Sequence, residues 1–230
     1  MEAIVLAGGA GTRLRQVVPE VPKPMAPVAG RPFLEHLLGA LARKGFDRVV
    51  LSLGYLADKV VAHFGSRFSG MELLYEIEPT PLGTGGATRQ ALTRCRANHV
   101  FAFNGDTYLD LEAAALEAQW QAQREPIVVA CEVPDTARYG RLTAVADRVV
   151  GFSEKGASGP GLINAGCYVL PTGVLDGFAS GQPFSLETDA LVKWAEQKRL
   201  GIFVSRGRFI DIGTPEDYAR AQIELAGESS

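Results

Sequence analysis

The chain has 230 residues, is 47% hydrophobic, and carries 23 Lys and Arg against 26 Asp and Glu, a net charge of −3. That supports one substantial core at the upper end of single-domain length, and the absence of any basic run excludes a nucleic-acid partner. Cys95, Cys131 and Cys167 and the scattered His36, His63 and His99 form neither a disulfide framework nor a zinc spacing, so the cysteines read as buried thiols of a reducing compartment.

The N-terminus opens on a short apolar run, Ala3 to Ala7, without the basic region and long apolar stretch of a signal peptide. No apolar run nears the roughly 20 residues of a membrane span, so no membrane partner and a cytoplasmic location are expected. After the first strand comes a glycine turn, Gly8, Gly9 and Gly11, then Thr12 and Arg13, with Lys23 between two prolines. Glycines let backbone amides approach an anion, and Arg13 and Lys23 add positive charge around a polyphosphate. The turn lacks the closing Gly-Lys-Ser/Thr of a Walker loop. It also has Leu14 where a dinucleotide fingerprint needs its third glycine.

Pro32 opens a helix through Leu41 that Gly45 ends, and Arg48 to Leu53 reads as a buried strand. Leu56 to Phe64 is a second amphipathic helix stopped by Gly65, and Met71 to Ile77 is the third strand. This alternation predicts a parallel sheet with right-handed crossovers and ligands at the carboxyl ends of its strands. Glu78 to Ala87, rich in glycine and proline, either holds a flat base by backbone contacts or simply connects a strand to a helix. His99 to Asn104 is a strand that runs into Gly105-Asp106, where a carboxylate is placed for Mg²⁺ or bonds its own turn. A helix over 111–123 and a strand over 127–133 follow. Arg141 to Val145 and Val149 to Phe152 then form a hairpin, and a strand contains Ile163 to Tyr168. A helix runs from Phe184 to about Lys198 and a strand from Leu200 to Val204. Asp211 ends the last strand before a helix capped by Thr214 and led by Pro215.

GGAGTRL followed by PKPMAPV resembles the signature of the sugar-1-phosphate nucleotidyltransferases, or nucleotide-sugar pyrophosphorylases, and PLGTGGA at 81–87 matches the same family. The family loop continues Arg-Leu-x-Pro-Leu-Thr, whereas this chain has Arg15-Gln16-Val17-Val18-Pro19. That departure and Pro27 to Glu35 are similar to the branch that makes GDP-D-glycero-α-D-manno-heptose. The resemblance implies a Rossmann-like α/β three-layer sandwich with a mostly parallel central sheet and a smaller β-hairpin sugar-binding region, the nucleotide-diphospho-sugar transferase fold. Residues 1–230 would form a single nucleotidyltransferase domain without the C-terminal β-helix that many relatives carry. It assigns Leu6, Ala7, Gly8, Gly9, Gly11, Thr12, Arg13, Lys23, Glu78, Pro81, Leu82, Gly83, Thr84 and Asp106 to the nucleotide. Asn104, Gly140, Glu154, Lys155, Asn164 and Gly166 go to the sugar phosphate, Asp106 and Asp211 to Mg²⁺, and Arg13, Lys23, Asp106 and Lys155 to catalysis.

The implied reaction joins a nucleoside triphosphate, GTP for this branch, to a sugar 1-phosphate and releases pyrophosphate. An ionised phosphate monoester needs no general base, so catalysis rests on positioning and charge, which agrees with the absence of a Ser/His/Asp or Cys/His set. Rival readings are mannose-1-phosphate guanylyl transfer, uridylyl or thymidylyl transfer to another sugar, and a non-catalytic nucleotide-sugar-binding regulator. A homo-oligomer is compatible with all of them. A dehydrogenase is disfavoured by Leu14 and the lack of a hydride site.

Overall fold

The N-terminal apolar run becomes β1 (Glu2–Ala7), and its two faces explain its central position in the sheet. Ala3, Val5 and Ala7 point into one core while Ile4 points into another, so the strand is buried on both sides. The structure is a computed structural model that describes residues 1–9, 21–153, 156 and 158–227. Gly11, Thr12, Arg13, Glu154 and Lys155, five residues assigned to phosphates and sugar, lie outside the described residues.

β4 (Arg48–Leu53) and β6 (Met71–Ile77) extend the sheet on one side of β1, and β7 (His99–Asn104) pairs on the other, all parallel. The crossovers are α1 (Phe33–Arg43), α2 (Ala57–Phe64) and α3 (Gly83–Leu92). α1 and α2 put Leu34, Leu37, Leu38, Leu41, Val60 and Phe64 on one face of the sheet, joined there by Leu116 and Trp120 of α4 (Ala113–Gln123). α3 puts Ala91 and Leu92 on the opposite face. Fully burying an apolar side chain of this size contributes about 1.5–3 kcal/mol, so the two layers hold the sheet between them. Pro32 is not the first helical residue as expected. It takes the N-cap position of α1 at the end of β3 (Arg31–Pro32), which pairs with β2 (Pro27–Val28), and the short β5 (Arg67–Phe68) pairs with β6 at the sheet edge.

Beyond β7 the sheet continues with β12 (Gly161–Pro171), β9 (Ile127–Val133) and β13 (Gly201–Ser205). β12 runs against both β7 and β9, and β13 is parallel to β9. β1, β4, β6, β7, β9 and β13 therefore point the same way, with β12 reversed among them. The expected hairpin is β10 (Arg141–Val145) and β11 (Arg148–Ser153), at the far edge of the ten-stranded sheet. The helix expected from Phe184 to about Lys198 covers residues 186–196, its first part a π-helical turn, Leu186–Leu191, that continues directly into α5 (Val192–Glu196). Leu186, Ala190, Leu191 and Ala195 bury it against the same face as α3.

A small third layer comes from β8 (Thr107–Leu109), β14 (Phe209–Asp211) and α6 (Pro215–Glu224), around Phe33, Tyr108, Ile210 and Ile212. Thr214 caps α6 through the Asp217 N–H at 3.3 Å, with Pro215 leading, as the sequence implies. The amino ends of the parallel strands are tied by Arg48. It donates to Glu2 and to the Arg94 carbonyl at 2.8 Å each and to Glu72 at 2.9 Å. Glu2 also accepts the N–H groups of Arg96 and Ala97. Burial pushes the Glu2 carboxyl up, but these hydrogen bonds and the guanidinium outweigh it and hold the group below the usual carboxylate range.

Candidate functional site

At the opposite, carboxyl ends of the parallel strands a cavity of about 400 Å³ opens. The backbone closes on itself there. The Gly105 N–H donates to the Leu6 carbonyl at 2.9 Å, so the turn after β7 is tied to the end of β1. A Cβ on Gly105 would lie 2.8 Å from the Leu6 oxygen, and one on Gly54 2.8 Å from the Gly8 oxygen. Gly8 is as crowded, since its Cβ would meet a Glu78 carboxylate oxygen at 2.7 Å. These glycines let three strand ends converge. Leu6, Ala7, Gly8, Gly9, Asn104 and Asp106 all line the cavity.

Lys23 reaches the same wall. It follows extended Pro22 and opens a single 3₁₀ turn with Pro24, a rigid presentation for a long side chain. Its ammonium lies 2.6 Å from Asp106 Oδ2 and is largely buried, with 13% of the side chain exposed against 39% for Asp106. Asp211 is brought beside Asp106 by the β8–β14 pair, in which it faces Thr107, and by the Ile212 N–H donated to the Asp106 carbonyl at 3.0 Å. Burial pushes the Asp211 carboxyl up, and the Asp106 charge pushes it the same way. Lys23 and the Gly213 N–H act in the opposite sense. The two carboxylates offer oxygen donors of the kind a hard divalent cation takes, its other ligands coming from phosphates and water, although Asp211 does not itself line the cavity and Lys23 holds Asp106. Among the described residues no group of three or more His, Cys, Asp or Glu forms a self-sufficient metal cage.

The segment after β6 supplies the third wall. Glu78 accepts the Ser52 hydroxyl at 3.1 Å and the Leu82 N–H at 3.0 Å, which fixes the turn into α3. Glu78, Pro81, Gly83, Thr84 and Ala87 line the cavity, whereas Leu82 is buried beneath it as the α3 cap. The later glycines of this loop do something else. A Cβ on Gly85 would fall 2.2 Å from the Phe184 ring, and one on Gly86 2.8 Å from the Gln182 carbonyl. They admit the 182–184 segment against the helix start, where Gly85 donates to the Phe184 carbonyl at 3.0 Å.

Of the residues assigned to the sugar side, Asn104 lines the cavity, and its Oδ1 is buried without a partner among the described residues. Gly166 stands behind it at φ +66°, where a Cβ would meet the Asn104 amide at 2.7 Å. Asn164 accepts the Gly166 N–H and donates to the Tyr168 hydroxyl, at 2.9 Å each. Asn164, Gly166 and Gly140 do not line the cavity themselves. Pro24, Ala87, Gly105 and Gly213 do, although none of the four was individually assigned to a ligand; small or chargeless side chains carry no chemical signal.

The nucleotidyl transferase family profile matches residues 2–228. The chain is 39% identical to the D-glycero-α-D-manno-heptose 1-phosphate guanylyltransferase of Aneurinibacillus thermoaerophilus, over 98% of both chains. It is 37% identical to the mannose-1-phosphate guanylyltransferase of Mycobacterium tuberculosis, over 98% of this chain and 64% of that protein. Among solved structures, HddC from Yersinia pseudotuberculosis complexed with GMP-PN superposes with a TM-score of 0.87 at 35% identity, covering 97% of this chain and 99% of that one.

Proposed function

The chain belongs to the nucleotidyl transferase family, and from that premise we propose that it transfers a guanylyl group from GTP to D-glycero-α-D-manno-heptose 1-phosphate. What carries this reading is the convergence on one cavity of the glycine turn after β1, the Lys23–Asp106 pair and the loop 78–87. An oxygen of the sugar phosphate attacks the α-phosphorus of GTP. The bond from that phosphorus to the bridging oxygen breaks, and pyrophosphate leaves in line. The attacking phosphate is already ionised, so no side chain has to remove a proton. The work is to bring two polyanions together and hold them aligned.

The amides of Gly8 and Gly9 face the triphosphate, and the backbone of Pro81 to Thr84 meets the base edge. Lys23 leaves Asp106 for a phosphate oxygen when the nucleotide enters. Arg13 takes the departing pyrophosphate and Lys155 the sugar phosphate, while Asn104 and the β12 residues Asn164 and Gly166 orient the sugar with Gly140 and Glu154. Asp106 and Asp211 would hold Mg²⁺, which supplies charge neutralisation on phosphate oxygens when bound. All 230 residues act as one catalytic unit in this reading, located in the cytoplasm.

Mannose 1-phosphate lacks one hydroxymethylene of the heptose, a difference of roughly 1–3 kcal/mol for a pocket open at that end. Some turnover of mannose 1-phosphate is therefore expected, and little with UTP, because buried groups matched to guanine would be left unpaired. The test is pyrophosphate release with four nucleoside triphosphates against a panel of sugar 1-phosphates. A higher kcat/KM for UTP than for GTP refutes the guanine assignment. A higher value for mannose 1-phosphate than for the heptose refutes the sugar assignment.

A further inference from the structure

Glu187 is the second residue of the π-helical turn Leu186–Leu191 and does not line the cavity. One of its carboxylate oxygens accepts the Thr84 hydroxyl at 2.5 Å and the Ser185 hydroxyl at 3.0 Å. The other accepts the Tyr168 hydroxyl at 3.3 Å. Thr84 belongs to the cavity wall at the start of α3, and Tyr168 belongs to β12, four residues after Asn164. Thr84 also accepts the Leu186 N–H at 2.9 Å, so its hydroxyl both donates and accepts within this junction. Through Tyr168 the chain of bonds continues to Asn164 and then to Gly166, whose backbone packs against Asn104 on the far side of the cavity.

We propose that Glu187 is a positioning residue that locks the nucleotide-side wall of the cavity to the sugar-side strand. The proposal rests on the nucleotidyl-transfer reading above. Three observations support it. The carboxylate joins elements that share no backbone hydrogen bond, α3 and β12. Among the described residues it makes no ion pair with a cation, so it serves these hydroxyls rather than a salt bridge. And the turn that carries it is π-helical, with the Val192 N–H donated to the Glu187 carbonyl five residues back, a rare distortion found frequently at functional sites. An in-line displacement needs both substrates placed to a fraction of an ångström, so a strut between the two walls acts on the rate with neither substrate touching it.

The test uses the nucleotide and sugar phosphate that the wild-type enzyme turns over best. Glu187→Ala is expected to lower kcat/KM for both substrates by roughly 10- to 100-fold. Glu187→Gln, which keeps an acceptor for Thr84, recovers most of that loss. Thr84→Val removes one arm without changing shape and is expected to raise the KM for the sugar phosphate as well as for the nucleotide. Tyr168→Phe removes the other arm and raises the KM for the nucleotide, which keeps the proposal falsifiable if the alanine variant misfolds. Thermal midpoints are measured in parallel. Thr84→Val acting on the nucleotide alone with Tyr168→Phe acting on the sugar alone overturns the coupling. So does a Glu187→Ala loss that follows the loss of folded protein and is not recovered by Gln. A wild-type protein that transfers no nucleotide overturns the functional reading itself, a different result from intact transfer that is indifferent to Glu187.

Discussion

Gly105→Ala isolates how the meeting of β1 and β7 sets the position of Asp106. The added methyl would sit 2.8 Å from the Leu6 carbonyl oxygen, 3.1 Å from the Ala7 Cβ and 3.2 Å from the Ala7 Cα. None of these atoms belongs to a flexible side chain, and β1 is held by parallel partners on both sides. Ordinary contact begins near 3.4 Å, so the turn must retreat by about 0.6 Å, stretching the Gly105 N–H bond to Leu6. Overpacking of this kind costs about 1–3 kcal/mol of stability. Asp106 is the next residue and moves with the turn, away from Lys23 and Asp211. A displacement of this size at a positioned group reduces kcat/KM by roughly 10- to 100-fold. Steady-state kinetics with a thermal melt measures both effects. Gly151→Ala serves as the control, since a Cβ there meets nothing within 4 Å, and it should leave activity and stability essentially unchanged. If Gly105→Ala keeps kcat/KM within about twofold of wild type while Gly151→Ala is neutral, the close approach of the strand ends does not set the working position of Asp106.

Three further outcomes follow from the same geometry. Asp106→Asn and Asp211→Asn should each cut turnover by about two to three orders of magnitude, roughly 3–4 kcal/mol, with folding retained; more than a tenth of wild-type activity in either would remove that residue from the metal assignment. Lys23→Met should lower turnover by about 10²–10³ yet tighten Mn²⁺ binding to the nucleotide-free protein, because the ammonium that holds Asp106 is gone. Electron paramagnetic resonance of free Mn²⁺ reads this, and unchanged or weaker binding contradicts it. Glu2→Gln should cost about 1–3 kcal/mol at neutral pH. The Glu2 carboxyl lies below its unfolded value, so its contribution is complete above about pH 4.5 and lost as pH falls through the folded pKa. Melts from pH 7 to pH 3 should therefore show the gap between variant and wild type closing with acid, and a gap that widens instead would refute the Arg48 clamp.

Sequence alone determined the elements whose signals are local. β4, β6 and β9 span the residues expected of them, because each is a short run rich in aliphatic residues bounded by turn residues. Thr214 and Pro215 announce α6 because a cap and its helix lie within four residues of each other. The glycine turn and Asp106 were legible as candidates because each follows a strand end, and Lys23 because two prolines flank it. The tertiary structure alone decided what those pieces meet. Periodicity reports which face of an element is buried but not against what, so the insertion of β12 between β7 and β9 has no local trace. Nor does the two-strand ribbon that carries Asp211 to Asp106. The same reason divides the loop 83–87. Its sequence reads as one ligand-binding stretch, but Gly83 and Thr84 face the cavity while Gly85 and Gly86 are spent on admitting Phe184 and Gln182. Glu187 looks in the sequence like any acidic residue in a helix's first turn, where a carboxylate offsets the helix dipole. Its partners, Thr84 and Tyr168, belong to other elements and reach it only once α3 and the helix that starts at Leu186 pack on the same face of the sheet.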